Sequence, residues 1–175
     1  TGQYNTAIGY HALKDNTIGD YNTAVGYLAL ENFVSDAGAG DTGIGGNTAL
    51  GFKAGYDLTT GERNTFIGKD AGVDLTTGKY NTVVGWNAFD KADGTESYNT
   101  AIGYQALSNQ DADGNSWNTA VGANAGVNIT TGIENTIVGG GTADAITIGV
   151  RNTIMGQAAL GADVDTGSFT TRSQA

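Results

Sequence analysis

Residues 111 to 116 read Asp-Ala-Asp-Gly-Asn-Ser and set side-chain oxygens at Asp111, Asp113 and Asn115. Oxygen donors at alternate positions are how a calcium loop surrounds a hard cation. The match stops there. Glycine comes fourth instead of sixth, and the twelfth position, where a bidentate glutamate closes such a loop, is Gly122. The segment reads as a solvated acidic turn, and no metal or cofactor is assigned. His11 is the single histidine, at a position where the corresponding residues elsewhere are Leu28, Lys53, Asp70 and Gln105, so Ser-His-Asp chemistry has no framework. A glycan-degrading depolymerase would need a defined pair of carboxylates, and nothing in the turns singles one out. The stretch GAGDTGIGG (38 to 46) lacks the lysine and the following helix of a phosphate loop. No residue is assigned a catalytic role, and the chain is read as a non-enzyme.

The bulk composition narrows the partners. The 175 residues carry a net charge of −10, which argues against a nucleic-acid surface and against an anionic membrane face. No apolar run approaches the roughly 20 residues that span a bilayer. There are 29 glycines, no proline and no cysteine, so neither a disulfide framework nor a thiolate metal site is available. The chain begins in mid-phrase at Thr1 and is read as a segment of something longer.

The element that positions every side chain is a repeat. Asn-Thr recurs at Asn5, Asn22, Asn47, Asn64, Asn81, Asn99, Asn118, Asn135 and Asn152, with spacings of 17, 25, 17, 17, 18, 19, 17 and 17. With Asn as position 0, +4 is glycine in all nine units, +2 and +3 are always apolar, and +7 is alanine except at Thr142. Phe33, Leu58, Leu75, Ile129 and Ile146 fall at +11, often ahead of a Thr-Thr-Gly turn such as Thr59 to Gly61. A unit this short is no helical hairpin, whose repeats run about 33 to 47 residues. Two short strands and two turns per unit fit, stacked as a parallel β-solenoid with coils about 4.8 Å apart. The lack of proline agrees, because every backbone N–H is needed for the ladder. Along the strand, +1 and +3 point one way and +2 and +4 the other, and both sides carry apolar residues. That predicts burial of both faces and hence a closed homo-oligomer, with the small Ala and Gly approaching its axis.

NTAIG and NTAVG followed by alanine resemble the head repeats of trimeric autotransporter adhesins of the YadA type, which typically read S-V-A-I-G. They are also similar to repeats in tail-fibre-like proteins of phages and marine bacteria. The resemblance covers residues 1 to about 160 and departs in its period of 17, longer than that family's. It implies an all-β, left-handed parallel β-roll of about nine 17-residue coils and a homotrimer. By the same resemblance the chain is an extracellular fibre segment, on a cell surface or a virion, that attaches to a host glycan or protein receptor. A glycan-degrading tail spike is the alternative, and an ice-binding solenoid using the Thr-Thr turns is a third reading. Residues 1–160 form the repeat domain, and 161–175, where TGSFTT is a degenerate copy, form a cap or linker.

Within that frame the Asn column (Asn5 through Asn152) is assigned to a structural ladder of stacked amides. Aromatic residues form two columns, at +5 (Tyr10, Tyr27, Phe52, Trp86, Tyr104) and at −1 (Tyr4, Tyr21, Tyr80, Tyr98, Trp117). Their rings suit packing across coil corners, and Tyr10, Tyr27, Phe52, Trp86, Tyr104 and Trp117 are the candidate receptor contacts. Three interruptions of the beat, Glu31 to Gly46, Asp90 to Tyr98 and Ser108 to Trp117, are the candidate specificity loops.

Overall fold

The computed structural model describes residues 2–35, 45–144 and 146–160. The cap or linker expected at 161–175 and most of the glycine-rich first interruption (36–44) lie outside these residues. Each Asn-Thr opens one three-residue strand: β1 (Thr6–Ile8), β2 (Thr23–Val25), β3 (Thr48–Leu50), β4 (Thr65–Ile67), β5 (Thr82–Val84), β6 (Thr100–Ile102), β7 (Thr119–Val121), β8 (Thr136–Val138) and β9 (Thr153–Met155). They form one parallel sheet in sequence order, in a register that sets Thr beside Thr throughout, as in Thr82 beside Thr100. The described chain is thus an all-β parallel solenoid, its nine strands joined by eight turns of the coil.

Exposure alternates with the pleat. From the second coil on, the residues at 0 and +2 are buried, whereas those at −1, +1, +3 and +5 are exposed or half-buried. The expected arrangement of small residues around an oligomer axis is therefore not what the fold uses. Ala24, Ala49, Ala101 and Ala120 at +2 face the chain's own core and have no exposed surface. The +4 glycines have φ between 118° and 142°, and a Cβ on Gly85 would lie 2.3 Å from the carbonyl oxygen of Gly103. Only a residue without a side chain lets coils close to stacking distance at that corner.

The second strand expected in each unit does not form among the described residues. Positions +6 and +8 instead sit in the left-handed region, as at Leu28 (φ 59°) and Leu30 (φ 49°). Each left-handed residue reverses the direction in which its neighbouring peptide groups point. Leu28 N–H donates back to Tyr10 O (2.9 Å), while Leu30 N–H donates forward to Ala54 O (3.1 Å). Coil-to-coil bonding is kept without strand geometry. A left-handed non-glycine costs on the order of 1 kcal/mol, so these columns persist because the stack holds them.

The core is a single column of side chains from +2, +7, +8 and +11. In several coils large and small residues compensate between +2 and +8. Ala24 and Ala101 are matched with Leu30 and Leu107, whereas Phe66 lies against Gly55 and Gly72. A Cβ on Gly72 would lie 2.3 Å from the Phe66 ring. Phe66→Ala should destabilise the chain by about 3–5 kcal/mol, and Gly72→Leu alone should also destabilise through that clash. Together they recreate the Ala/Leu pairing of the second and sixth coils. Urea unfolding of the four proteins should show the double variant at least about 1 kcal/mol more stable than the sum of the single losses. Additive losses would reject the size compensation.

Candidate functional site

Three constructions follow from the stack: an amide ladder inside it, aromatic columns on it, and two lengthened turns at its side. The amide ladder is continuous from Asn5 to Asn152. Asn64 Oδ1 accepts the backbone N–H of Asn81 (2.9 Å) and its Nδ2 (3.1 Å), and Asn81 Oδ1 does the same for Asn99. Asn22, Asn47, Asn118, Asn135 and Asn152 each donate their backbone N–H in the same way to Oδ1 of the asparagine before them. The Nδ2 groups of Asn5, Asn47, Asn64, Asn118 and Asn135 also donate to a glycine carbonyl at +14, as Asn64 does to Gly78 O (2.8 Å). With their amides engaged and buried from the second coil on, these residues have no surface for a ligand.

The aromatic columns are exposed and stacked at about the coil spacing. At +5, Tyr10 lies over Tyr27 (ring centroids 5.3 Å apart) and Tyr27 over Phe52 (5.2 Å), and Trp86 meets Tyr104 at 5.4 Å. The lapse at Lys69 is bridged, because its ammonium stands 5.8 Å from the Phe52 ring and 5.3 Å from the Trp86 ring. At −1, Tyr4 stacks on Tyr21 (5.0 Å), Tyr80 on Tyr98 (4.8 Å), and Tyr98 meets Trp117 (5.7 Å). Arg63 extends this second column over Tyr80. Between the columns lie the +3 residues, of which Ile8, Leu50, Ile67, Ile102 and Met155 are exposed. By contrast, the Thr-Thr turns spend hydroxyl protons on the next coil: Thr59 Oγ1 donates to Thr76 O and Thr130 Oγ1 to Thr147 O.

The two later interruptions lie side by side. Ser97 N–H donates to Gly114 O (2.8 Å), Ser116 N–H to Ser97 O (3.1 Å), and Gly114 N–H to Thr95 Oγ1 (2.8 Å). Gln110 takes the +11 core position of the sixth coil, fully buried, and is satisfied by Asn118, Thr130 O and Gly132 O. In the fifth coil Ala92 holds +11, and the one extra residue brings Glu96 to the place where regular coils have glycine. Its carbonyl does the glycine's work, accepting from Asn81 Nδ2 (2.8 Å). Its side chain is 0% exposed. Oε2 accepts Gly94 N–H (3.1 Å), and Oε1 has no hydrogen-bond partner. Sequence reasoning passed over Glu96. The signal was a glutamate where other coils have Gly61, Gly78, Gly132 or Gly149.

The chain has four glutamates, and they differ sharply. Glu31 lies 3.0 Å from Lys14 and from His11, Glu62 3.6 Å from Lys79, and Glu134 2.5 Å from Arg151. Burial works to raise Glu31, but the hydrogen bonds from Lys14 and His11 outweigh it and hold its carboxyl below the usual range. Burial pushes Glu96 up, and the negative charges of Asp111 and Asp113 add to the shift, while bonds from backbone N–H groups oppose it. Asp111 is raised in turn by partial desolvation and by Asp93.

Comparison with protein-family models, with curated proteins and with solved structures gave no match.

A raised carboxyl means that the folded chain binds more protons than the unfolded one at pH values above about 4.5, the ordinary value for Glu96. Stability therefore falls as pH rises through the native value, and the groups facing Glu96 (Asp93, Asp111 and Asp113) are all acidic. In buffer free of divalent cations, Glu96→Gln should be more stable than the parent at pH 7 by about 1 kcal/mol. The advantage should shrink towards pH 4. Thermal melts at both pH values check this, and a variant less stable at pH 7 would refute it.

Proposed function

We propose that this chain is a structural and adhesive segment of an extracellular fibre, working as a homotrimer of left-handed β-rolls that carries receptor contacts away from a cell or virion surface. One observation carries the reading. The outer face of the sheet is an unbroken column of apolar residues at +3, from Ile8 through Val25, Leu50, Ile67, Val84, Ile102, Val121 and Val138 to Met155. Ile8 is 60% exposed and Met155 64%, and even in mid-stack Ile67 and Ile102 are more than one-third exposed. A monomer rarely leaves so long an apolar stripe in water, and a straight stripe on a regular rod is complementary to its own copies. Threonines at +1 run beside it, giving hydroxyls that tolerate either water or a neighbouring chain.

The stacked rings at +5 and −1 supply the receptor side of the proposal. Tyr10, Tyr27, Phe52, Trp86, Tyr104 and Trp117 present large apolar surface, in most cases with a polar tip, which suits sugar or protein ligands. Their rings are already held by stacking on one another, so binding costs little side-chain entropy. The +5 column ends after the sixth coil, where Ala123, Gly140 and Gln157 follow. The proposed contacts thus occupy one part of the rod's length.

Light scattering after size exclusion should give three times the 17.8 kDa chain mass. Replacing Ile67 and Ile102 with lysine together should yield monomer with an unchanged far-ultraviolet spectrum, because both side chains point out of the chain's own core. A parent protein that runs as a stable monomer would contradict the trimer.

A further inference from the structure

The strongest unexplained feature of the molecule is Glu96, the most buried of the four glutamates and the one without a cation. Its carboxylate lies among other acids. Carboxylate oxygens of Asp93, Glu96 and Asp111 all lie within 4.8 Å of one another. Asp113 is close by, with an oxygen 2.8 Å from where a Cβ on Gly94 would stand. Among the described residues, no lysine, arginine or histidine forms an ion pair with any of these four.

We propose that Asp93, Glu96 and Asp111 bind one divalent, oxygen-preferring cation, calcium first, between the lengthened turns of the fifth and sixth coils. Oxygens at 2.3–2.6 Å from a common calcium ion stand up to roughly 5 Å apart, and the three carboxylates meet that limit. The donors are oxygens only, and the chain has no cysteine and its one histidine at position 11, which selects a hard cation. Asp93 and Asp111 are exposed, leaving room for the waters that complete a coordination shell of six to eight. Such an irregular shell suits calcium better than magnesium, which demands a tight octahedron. The arrangement differs from a calcium loop read along residues 111 to 122. The ligands come from two successive coils, and the buried anchor comes from the first of them.

The cluster has a definite structural task under this assignment. The two interruptions break the regular beat at neighbouring coils, and the ion ties one lengthened turn to the other where repulsion among carboxylates would otherwise part them. It gives Glu96 the partner that Lys14, Lys79 and Arg151 give the other glutamates.

The test is calorimetric titration of the chelator-stripped chain with calcium chloride, with magnesium chloride as a parallel arm, alongside thermal melts in calcium and in chelator. The parent chain should take up one calcium with a dissociation constant on the order of 10⁻⁴ M, and its melting temperature should rise in calcium. Glu96→Gln and Asp111→Asn should each weaken binding at least tenfold and lose the melting shift. Asp15→Asn, an exposed acidic residue in the first coil, should leave both unchanged. Asp111→Asn removes an exposed group and keeps the fold testable if Glu96→Gln disturbs the turn. No saturable calcium uptake, or uptake equal in the parent and in both cluster variants, would overturn the site. Magnesium binding as tight as calcium would overturn the choice of ion.

Discussion

Each coil of this molecule is tied to the next through the side chain of one asparagine. Its Oδ1 accepts the backbone N–H of the next asparagine, and in most coils its Nδ2 donates to the carbonyl at +14 of its own coil. One amide therefore fixes where a strand begins, where the coil closes and which residue stacks on which. Inside a low-dielectric column such a bond is strong, and a missing member would leave buried donors and acceptors without partners, at about 1–3 kcal/mol each. The sixth and seventh coils show how strict this is. Two extra residues displace the turn, and Gln110 enters the core to accept from Asn118 Nδ2 (2.7 Å).

Once register is fixed, the remaining choices are local. Glycine is required at +4 because neighbouring corners nearly touch, and the alanines at +7 from the second to the seventh coil have no exposed surface. At +8 leucine, phenylalanine, glycine and alanine all occur, and the glycines there (Gly55, Gly72 and Gly126) lie against Phe66 or Ile137 at +2. Outside, the same register turns single side chains into columns: apolar at +3, aromatic at +5 and −1. Positions 0, +2, +4, +7, +8 and +11 specify the scaffold, and −1, +1, +3 and +5 are left free to carry function. The interruptions are the other place where the stack does not dictate the residue, and there the chain buries a glutamate without a cationic partner.

Much of this was legible in the sequence, since a repeat with invariant Asn and Gly shows both the coil length and the in-register sheet. The face assignments at +1 to +4 followed from the pleat. What the Ala and Gly columns were for did not follow, because small residues serve equally an oligomer axis or a tight coil, and composition cannot choose. The missing second strand was hidden for a related reason. Leu28, Leu30 and Phe89 look like strand residues, and only the stack forces them into left-handed conformations that their types disfavour. Glu96 was obscured by its setting in a polar turn, where a carboxylate is ordinarily solvated. Its burial depends on an insertion in its own coil and another in the next.

The dependence of the whole fold on the amide ladder can be measured by residue-resolved hydrogen exchange. The account predicts that the backbone amides of Asn22, Asn47, Asn64, Asn81, Asn99, Asn118 and Asn135 exchange only through global unfolding, with one common free energy. Exchange of these amides as fast as that of the exposed turns, or with free energies unrelated from coil to coil, would contradict it.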